Sequence, residues 1–551
     1  MTSSRFLRTT IAALGISSAA CSSGASVISA GTGGSGVGGT SSEGGATGSG
    51  GALGSGGVIE TGGATSSGGK AETGGATSTG GRSSSGGTSA ATSSGGQPGT
   101  GGASGGRGGS GGASGTGGGT RAGTGGATGA GGDGTGGTVV INPTACSTGT
   151  AQSGDVTVNL SGLQQKISGF GVSSAWAGSF ANASDPDYLW STTTGAGLTL
   201  LRIRYGDGLA IAKSAAQNGV TVWMAPWGTG ANGAPGGPDT TSQNNPNGCT
   251  SGSMPVLSNA QGLATSLVTW VQNAKTQGVP IYAVSAGNEP DSCGINNTTS
   301  YSPAQMAAWI DVLGPAMAAI GVKVMAPETM NGYGFPGYFT AIQNDTAAWN
   351  AVSIFASHEY GLAPPVQPAI AAAGKEYWET EVDTGTASGD PSGDGIASAL
   401  LMAKAIHNDL TKDNLNAWHL WWLYESGKSG GCLYDTGSKV WTKRLWVMGN
   451  FSRFVRPGYM RVSTSGTVPS GVLLTAYRNP ADGTVAVVAI NNNTSATPLS
   501  LYISGVVPCS ITPWVTSATD SLASKTAITV SNARFSATLD AQSVTTFVGK
   551  P

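Results

Sequence analysis

The chain has 551 residues and a formal net charge of −2, and only 10% of its residues are charged. With no basic surplus and no basic cluster, it lacks the electrostatic footprint of a nucleic-acid groove. Its 94 glycines are far too many for one ordinary globular domain, so the sequence divides into unlike parts.

Residues 1–21 read as an export signal. Arg5 and Arg8 precede an apolar stretch from Ile11 to Ile16, then small residues, then Cys21. The Ser-Ala-Ala-Cys junction resembles a bacterial lipoprotein box, so the expected membrane contact is a lipid anchor at Cys21 and the expected location is the cell surface or outside. Residues 22–142 are almost entirely Gly, Ser, Thr and Ala, without an aromatic residue. Such a segment has too little apolar surface to offset its ordering entropy and is expected to be a disordered linker, with a reach on the order of 60 Å. About 410 residues remain, enough for a barrel and a smaller domain.

Beyond Cys21 there are cysteines at 146, 249, 293, 432 and 509. Export permits disulfides. Cys146 and Cys509 flank the long region between them and can join its two β-rich ends, while two of Cys249, Cys293 and Cys432 can pair and leave one thiol over. None of the spacings suits structural zinc.

After the linker, Asp155 to Leu160 (DVTVNL) alternates as a strand does. Eight apolar strand candidates follow: Ile167–Gly171, Leu198–Arg204, Val220–Pro226, Ile281–Ala286, Val322–Ala326, Val352–His358, Glu376–Glu381 and Ala417–Trp422. Helical segments lie between most of them. Two open on capping boxes, Ser258-Asn259-Ala260-Gln261 and Ser302-Pro303-Ala304-Gln305. A third helix runs from Ile396 to Leu410. Strand and helix in eightfold repetition predict a (β/α)8 TIM barrel over residues 143–458. An open doubly wound sheet is the runner-up, but no Gly-rich phosphate fingerprint follows the first strand. Residues 459–551 alternate again (VLLTAYR, TVAVVAINN, LSLYIS) and predict a C-terminal antiparallel β-sandwich domain, with residues 143–162 pairing onto it.

Barrel enzymes carry their chemistry on the loops after the strands. Strand ends here deliver Arg202 and Arg204, Trp227, Asn288 and Glu289, His358 and Tyr360, Glu381, and then Trp421, Trp422 and Tyr424. Two placed carboxylates among aromatic residues suit sugar stacking and glycosidic cleavage. In the retaining geometry Glu381 would be the ionised nucleophile and Glu289 the acid and later the base, with Arg202 and Tyr360 donating to Glu381 and Asn288 donating to the neighbouring sugar hydroxyl. Trp227 is the expected sugar platform. Strand alternation implies that one of Trp421 and Trp422 faces the helix layer. It also puts Glu379 on the face of Glu381, one layer deeper, where a buried carboxylate needs a partner such as Arg202, Arg204 or His419. Glu328 and Glu425 are polar subsite candidates. Two-carboxylate hydrolysis implies neither metal nor organic cofactor.

The text ISGFGVSSA, GLTLLRIRYGDG, MAPWG, YAVSAGNEPD, HEYG, WETEV and GNFSRFVRPGYMRV, in that order, resembles glycoside hydrolase family 30 from about residue 155 to 550. The resemblance implies a retaining (β/α)8 enzyme with an attached β-sandwich, with the Glu of NEP (Glu289) as acid/base and the Glu of TEV (Glu381) as nucleophile. It also implies an apolar residue where Glu379 stands. The branch that depends on glucuronic acid carries an Arg-containing segment after the eighth strand. Here that place reads WWLYESGKSGGCLY, with Glu425 and Lys428 and no arginine. The expectation is a monomeric glycosidase acting on a polysaccharide, xylan first and β-1,6-galactan second. A non-catalytic carbohydrate-binding surface protein is the alternative of another class.

Overall fold

The computed structural model describes residues 146, 148–227, 260–292, 300–426 and 431–551. The export signal, Cys21, the linker, the long loop over 228–255, Ser258 of the first capping box, Cys249, Cys293 and Lys428 lie outside the described residues.

The first strand, β1 (Val156–Lys166), precedes a closed parallel barrel of β2 (Gly169–Ser173), β3 (Leu200–Arg204), β4 (Thr221–Ala225), β5 (Ile281–Ser285), β6 (Lys323–Thr329), β7 (Val352–Ser357), β8 (Glu376–Glu379) and β9 (Ala417–Leu420). The (β/α)8 expectation therefore holds. Around and after it come helices α1 (Asp185–Trp190), α2 (Ala210–Gln217), α3 (Ala260–Thr276), α4 (Pro303–Ala318), α5 (Phe335–Asn344), α6 (Thr346–Ala351), α7 (Pro368–Ala372), α8 (Ile396–Thr411) and α9 (Lys443–Ser452). Helix α4 starts where its capping box predicts: Ser302 Oγ accepts from the Gln305 N–H, Gln305 Oε1 accepts from the Ser302 N–H, and Pro303 takes the first helical position. Helix α8 buries Ile396, Leu400, Ile406 and Leu410.

Alternation along β3 shows how the barrel is filled. Leu201 and Ile203 belong to the layer between strands and helices, while Leu200 belongs to the barrel interior and Arg202, fully buried, follows it on that inner face. Inside, the large Trp223 and Trp378 pack with Ala225, Ala283, Ala356 and Ala417, an alternation of large and small that fills the space without a pore.

Between β8 and β9 the ladder carries an irregularity that matters for the site. Trp378 pairs with Ala417, and the next bridge joins Val382 to Leu420. The β8 side therefore spends one more residue than the β9 side, the count of a β-bulge. Side-chain direction confirms it. Trp378 lies in the barrel interior and Val382, four residues on, lies in the helix-facing core, whereas strict alternation would put both on one face.

After the barrel a rim ribbon forms from β10 (Trp422–Glu425), β11 (Cys432–Asp435) and β12 (Val440–Trp441). Cys432 is buried and has no disulfide partner among the described residues; burial pushes its thiol up to about 12. The β domain follows with β13 (Met460–Ser465), β14 (Val472–Arg478), β15 (Val485–Asn491), β16 (Thr497–Ser504), β17 (Ser510–Thr516), β18 (Ala523–Ser524), β19 (Ile528–Thr529), β20 (Arg534–Leu539) and β21 (Ser543–Gly549). Strand β1 runs between β13, antiparallel to it, and β16, parallel to it, and it buries Val156, Val158 and Leu160 in the core of this domain. Asp155 and Arg534 form a two-pronged ion pair of 2.6 and 2.7 Å, and a disulfide joins Cys146 to Cys509 with Cα atoms 5.0 Å apart. Helix α9 couples barrel to sandwich, since Asn450 donates to the Trp514 carbonyl at 2.9 Å and accepts from Thr546 Oγ1 at 2.6 Å.

Candidate active site

Strand ends bring Arg202, Asn288, Glu289, Glu328, His358, Tyr360 and Glu381 together at the C-terminal mouth of the barrel. Each arrives by a different local device. Arg202 is an interior residue of β3, fully buried, with its guanidinium carbon 5.3 Å from the ring centroid of Trp223 and 4.0 Å from that of Trp227. Glu289 stands in the turn after β5 with φ +47°. Its N–H donates to the Glu328 carbonyl at 2.8 Å, and its own carbonyl accepts from Ser292. Asp291 ties the same turn to the loop after β6 by accepting from the Met330 N–H at 2.8 Å. Glu381 owes its inward direction to the bulge after β8.

The polar contacts form one network. Arg202 donates to Glu381 Oε2, lies 2.9 Å from the buried Glu328 Oε1 through Nη2, and donates to Asn288 Oδ1 at 2.5 Å. His358 bridges Glu289 at 3.0 Å through Nδ1 and Glu328 at 3.3 Å through Nε2. Tyr360 donates its hydroxyl to Glu381 Oε1 at 2.9 Å. Both oxygens of Glu381 thus receive strong donors, whereas Glu289 receives one.

The charges follow from this geometry. Burial disfavours a charged His358, but Glu381, Glu289 and Glu328 outweigh it and push the imidazole up to about 10. Burial likewise opposes ionisation of Glu328, yet Arg202 and then His358 hold its carboxyl below the usual range. Burial raises Glu381, against the pull of His358 and Arg202 and with the charge of Glu289 adding to the rise. Two cations therefore face three carboxyls, and the network is neutral when one of the three carries a proton.

Glu289, His358 and Glu381 each place one oxygen or nitrogen so that all lie within 4.8 Å of one another. That spacing could hold a metal ion, but the donor set does not suit one. A protonated His358 has no free lone pair, and the Arg202 guanidinium already bonds Glu381.

Several expectations need correction. Glu328 is not a subsite residue: it is fully buried beneath the pair and serves as the counter-charge of Arg202 and His358. Trp227 is not an open platform, being 4% exposed and packed against Arg202. Trp421 and Trp422 do not split between mouth and helix layer. Strand β9 ends at Leu420, so alternation stops, and the two indoles stack at 5.3 Å while both meet Trp176. Glu379 is fully buried but reaches no basic or hydroxyl side chain. Its carboxyl accepts from the backbone N–H of Glu381 at 2.7 Å and of His419 at 2.9 Å. Arg204 pairs with Asp207 at the rim instead.

Two residues escaped the sequence reading. Trp176 follows β2, is 43% exposed and sits edge-on to Trp227, Trp421 and Trp422 at 5.4 to 6.0 Å. An inventory of strand ends that began at the first barrel strand would have found it. Asp291 adjoins Glu289 in the motif, but only the fold shows what it holds.

A parallel barrel that gathers paired carboxyls, an arginine and a wall of indoles at its C-terminal mouth has the build of a glycosidase. The profile described as the glycosyl hydrolase family 30 beta sandwich domain matches residues 458–547. The chain is 30% identical over 407 residues to Glucuronoxylanase XynC of Bacillus subtilis (strain 168), an overlap of 72% of this chain and 91% of that protein. Among solved structures it is similar to the family 30 subfamily 8 xylanase Xyn30A of Clostridium acetobutylicum, with TM-score 0.64, 30% identity, and coverage of 72% of this chain and 100% of the other. A GH30 endoxylanase of Clostridium papyrosolvens C71 gives TM-score 0.61 and 30% identity with the same coverage. The chain belongs to glycoside hydrolase family 30, and it is a glycosidase.

Proposed function

We propose that this glycosidase is an endo-β-1,4-xylanase that works by double displacement, with Glu381 as nucleophile and Glu289 as acid and then base. The observation that carries the reading is that one oxygen of Glu289 and one of Glu381 lie within 4.8 Å of each other, an approach that suits the ~5 to 5.5 Å between the carboxyl groups of retaining pairs. Donor count assigns the roles. Arg202 and Tyr360 stabilise a negative Glu381, while Glu289, with one donor, is the better place for the shared proton.

In the first step a Glu381 oxygen attacks the anomeric carbon, the bond from that carbon to the glycosidic oxygen breaks, and the Glu289 proton passes to the leaving oxygen. In the second, Glu289 takes a proton from water, the water oxygen bonds the anomeric carbon, and the ester to Glu381 breaks. Asn288 has its Oδ1 occupied by Arg202, which turns its NH2 to the cleft as donor to the adjacent sugar hydroxyl. Trp176 and the Trp421–Trp422 stack supply the apolar wall for the rings.

Xylan is favoured because the 30%-identical relatives are named xylanases and a glucuronoxylanase. With Glu425 and Lys428 but no arginine in the segment from Trp421 to Tyr434, we read the activity as independent of glucuronic acid side groups, since no guanidinium stands there to bind a uronate bidentately. The test is reducing-sugar release from xylan, glucuronoxylan and β-1,6-galactan by the wild type and by Glu381→Gln and Glu289→Gln. Release from xylan with initial retention of β-configuration, abolished in Glu381→Gln while xylan binding persists, is expected. Release from galactan alone replaces the substrate, and binding without release by the wild type replaces the class with a carbohydrate-binding protein.

A further inference from the structure

The bulge that turns Glu381 into the barrel has an unusual filler. Regular β8–β9 pairing stops at Trp378 and Ala417 and resumes at Val382 and Leu420. In the gap, the Glu381 and His419 N–H groups point at the two oxygens of the Glu379 carboxyl, at 2.7 and 2.9 Å, and not at a carbonyl of the neighbouring strand. The second anchor is itself fixed. His419 Nδ1 donates to the Glu379 carbonyl at 2.9 Å and His419 Nε2 accepts from the Trp223 indole at 3.0 Å, so the neutral ring has a single tautomer. Its ring packs on Trp378 and Trp223. On the β9 side the nucleophile candidate thus hangs from a rigid lattice through its N–H, while its carbonyl accepts from the Glu359 N–H at 3.2 Å.

Resting on the assignment of Glu381 as nucleophile, we propose that Glu379 is a positioning residue whose carboxyl, bridging the N–H groups of Glu381 and His419, fixes the bulge that aims Glu381 at the anomeric carbon. Buried N–H groups need acceptors. An apolar residue at this position offers none, and a bulge without its acceptor is free to relax toward regular pairing, which rotates Glu381 away from the axis.

The chemistry of the bridge suits its place. Glu379 forms no ion pair among the described residues. Burial, with the charge of Glu359 adding to it, pushes the carboxyl well above the usual range against the pull of the two backbone donors and of the more distant His358 charge. Asp409 of α8, fully buried and bonded by the Trp418 indole at 2.8 Å, is also pushed well up by burial and by Glu359 and Glu379, so the helix side of the bulge adds no compensating cation.

The test uses the full chain as wild type, Glu379→Leu and Glu379→Gln. Two measurements are made: kcat and KM on an aryl β-xylobioside, and the rate of covalent labelling by a 2-deoxy-2-fluoro-β-xylobioside with a dinitrophenyl leaving group, located by peptide mass spectrometry. For Glu379→Leu, kcat and labelling rate fall together about tenfold to a hundredfold, the cost of a misaimed reacting group, with KM within about twofold of the wild type. Glu379→Gln, which keeps one acceptor oxygen, falls between. Activity is normalised to the folded fraction from melting curves, so a purely stabilising role leaves the normalised kcat unchanged and overturns the inference. If Glu379→Leu does not fold, the Gln variant decides alone: a normalised kcat equal to the wild type overturns the inference. Failure to label Glu381 in the wild type overturns the nucleophile assignment, and this inference with it. Equal labelling of wild type and variants overturns the inference only.

Discussion

The guanidinium carbon of Arg202 lies 4.0 Å from the ring centroid of Trp227, so the indole supports the arginine that holds Glu381 instead of offering its face to a sugar. Trp227→Ala is therefore expected to lower kcat by about tenfold or more through a displaced Arg202 and to change KM little. Trp176→Ala, at an exposed indole, is expected to raise KM by about fivefold to tenfold, the value of one aromatic contact, with kcat nearly unchanged. Steady-state kinetics on soluble xylan separates the two, and the opposite split would restore Trp227 as the platform.

Arg202 also carries a structural charge. Arg202→Met leaves Glu328 fully buried with only His358 beside it, and breaking such a pair costs about 3 to 5 kcal/mol. Chemical denaturation of the single variant and of Arg202→Met with Glu328→Leu checks this. The double variant is expected to regain much of the loss while remaining inactive.

Burial raises Glu381 above the ordinary glutamate value of 4.5, and as the proposed nucleophile it must be ionised. Activity is thus present above its folded value and lost as pH falls through it, so the acid limb of kcat/KM is expected above pH 4.5. A pH profile on a neutral aryl glycoside measures it. In Tyr360→Phe, which removes a donor to the charged form, the limb should move further up.

His358 works in the other direction. Its folded value of about 10 exceeds the 6.5 of a free imidazole, so the stability it contributes is fully present below pH 6.5 and is lost as pH rises through about 10. Melting temperatures measured across that window are expected to fall, and in His358→Gln the slope attributable to this group should vanish.

The disulfide of Cys146 and Cys509 spans 363 residues of sequence, and closing so long a loop stabilises the folded state by up to about 5 kcal/mol in the chain-entropy picture. Reduction, or Cys146→Ser with Cys509→Ser, should lower the melting temperature by about 4 °C or more with kcat unaltered.

What could be read in the sequence, and what could not, follows one physical line. Eight strand candidates became eight barrel strands because parallel strands buried on both faces leave apolar runs. The convergence of Glu289 and Glu381 was legible because barrel strand ends gather at one mouth, and the same rule brought Arg202, Asn288, His358 and Tyr360 there. Errors began where alternation failed. Period-two reasoning from Glu379 to Glu381 cannot see a bulge, and reasoning from Trp421 to Trp422 assumes that the strand continues past Leu420. Glu328 reads as a loop acid until the fold sets it against Arg202 and His358, a contact made by strands far apart in sequence. Trp227 carries no sequence mark that separates a sugar platform from a prop.

Because β1 lies in the sandwich sheet and Cys146 is bonded to Cys509, the described residues both begin and end in the β domain, and the barrel is an excursion from it. A pull on the polypeptide ahead of Cys146 would pass across the sulfur bridge into the sandwich and be borne there as shear between strands. The barrel would feel it only at second hand, through β1 and the α9 contacts with the sandwich, so the load enters the molecule away from the spacing of Glu289 and Glu381.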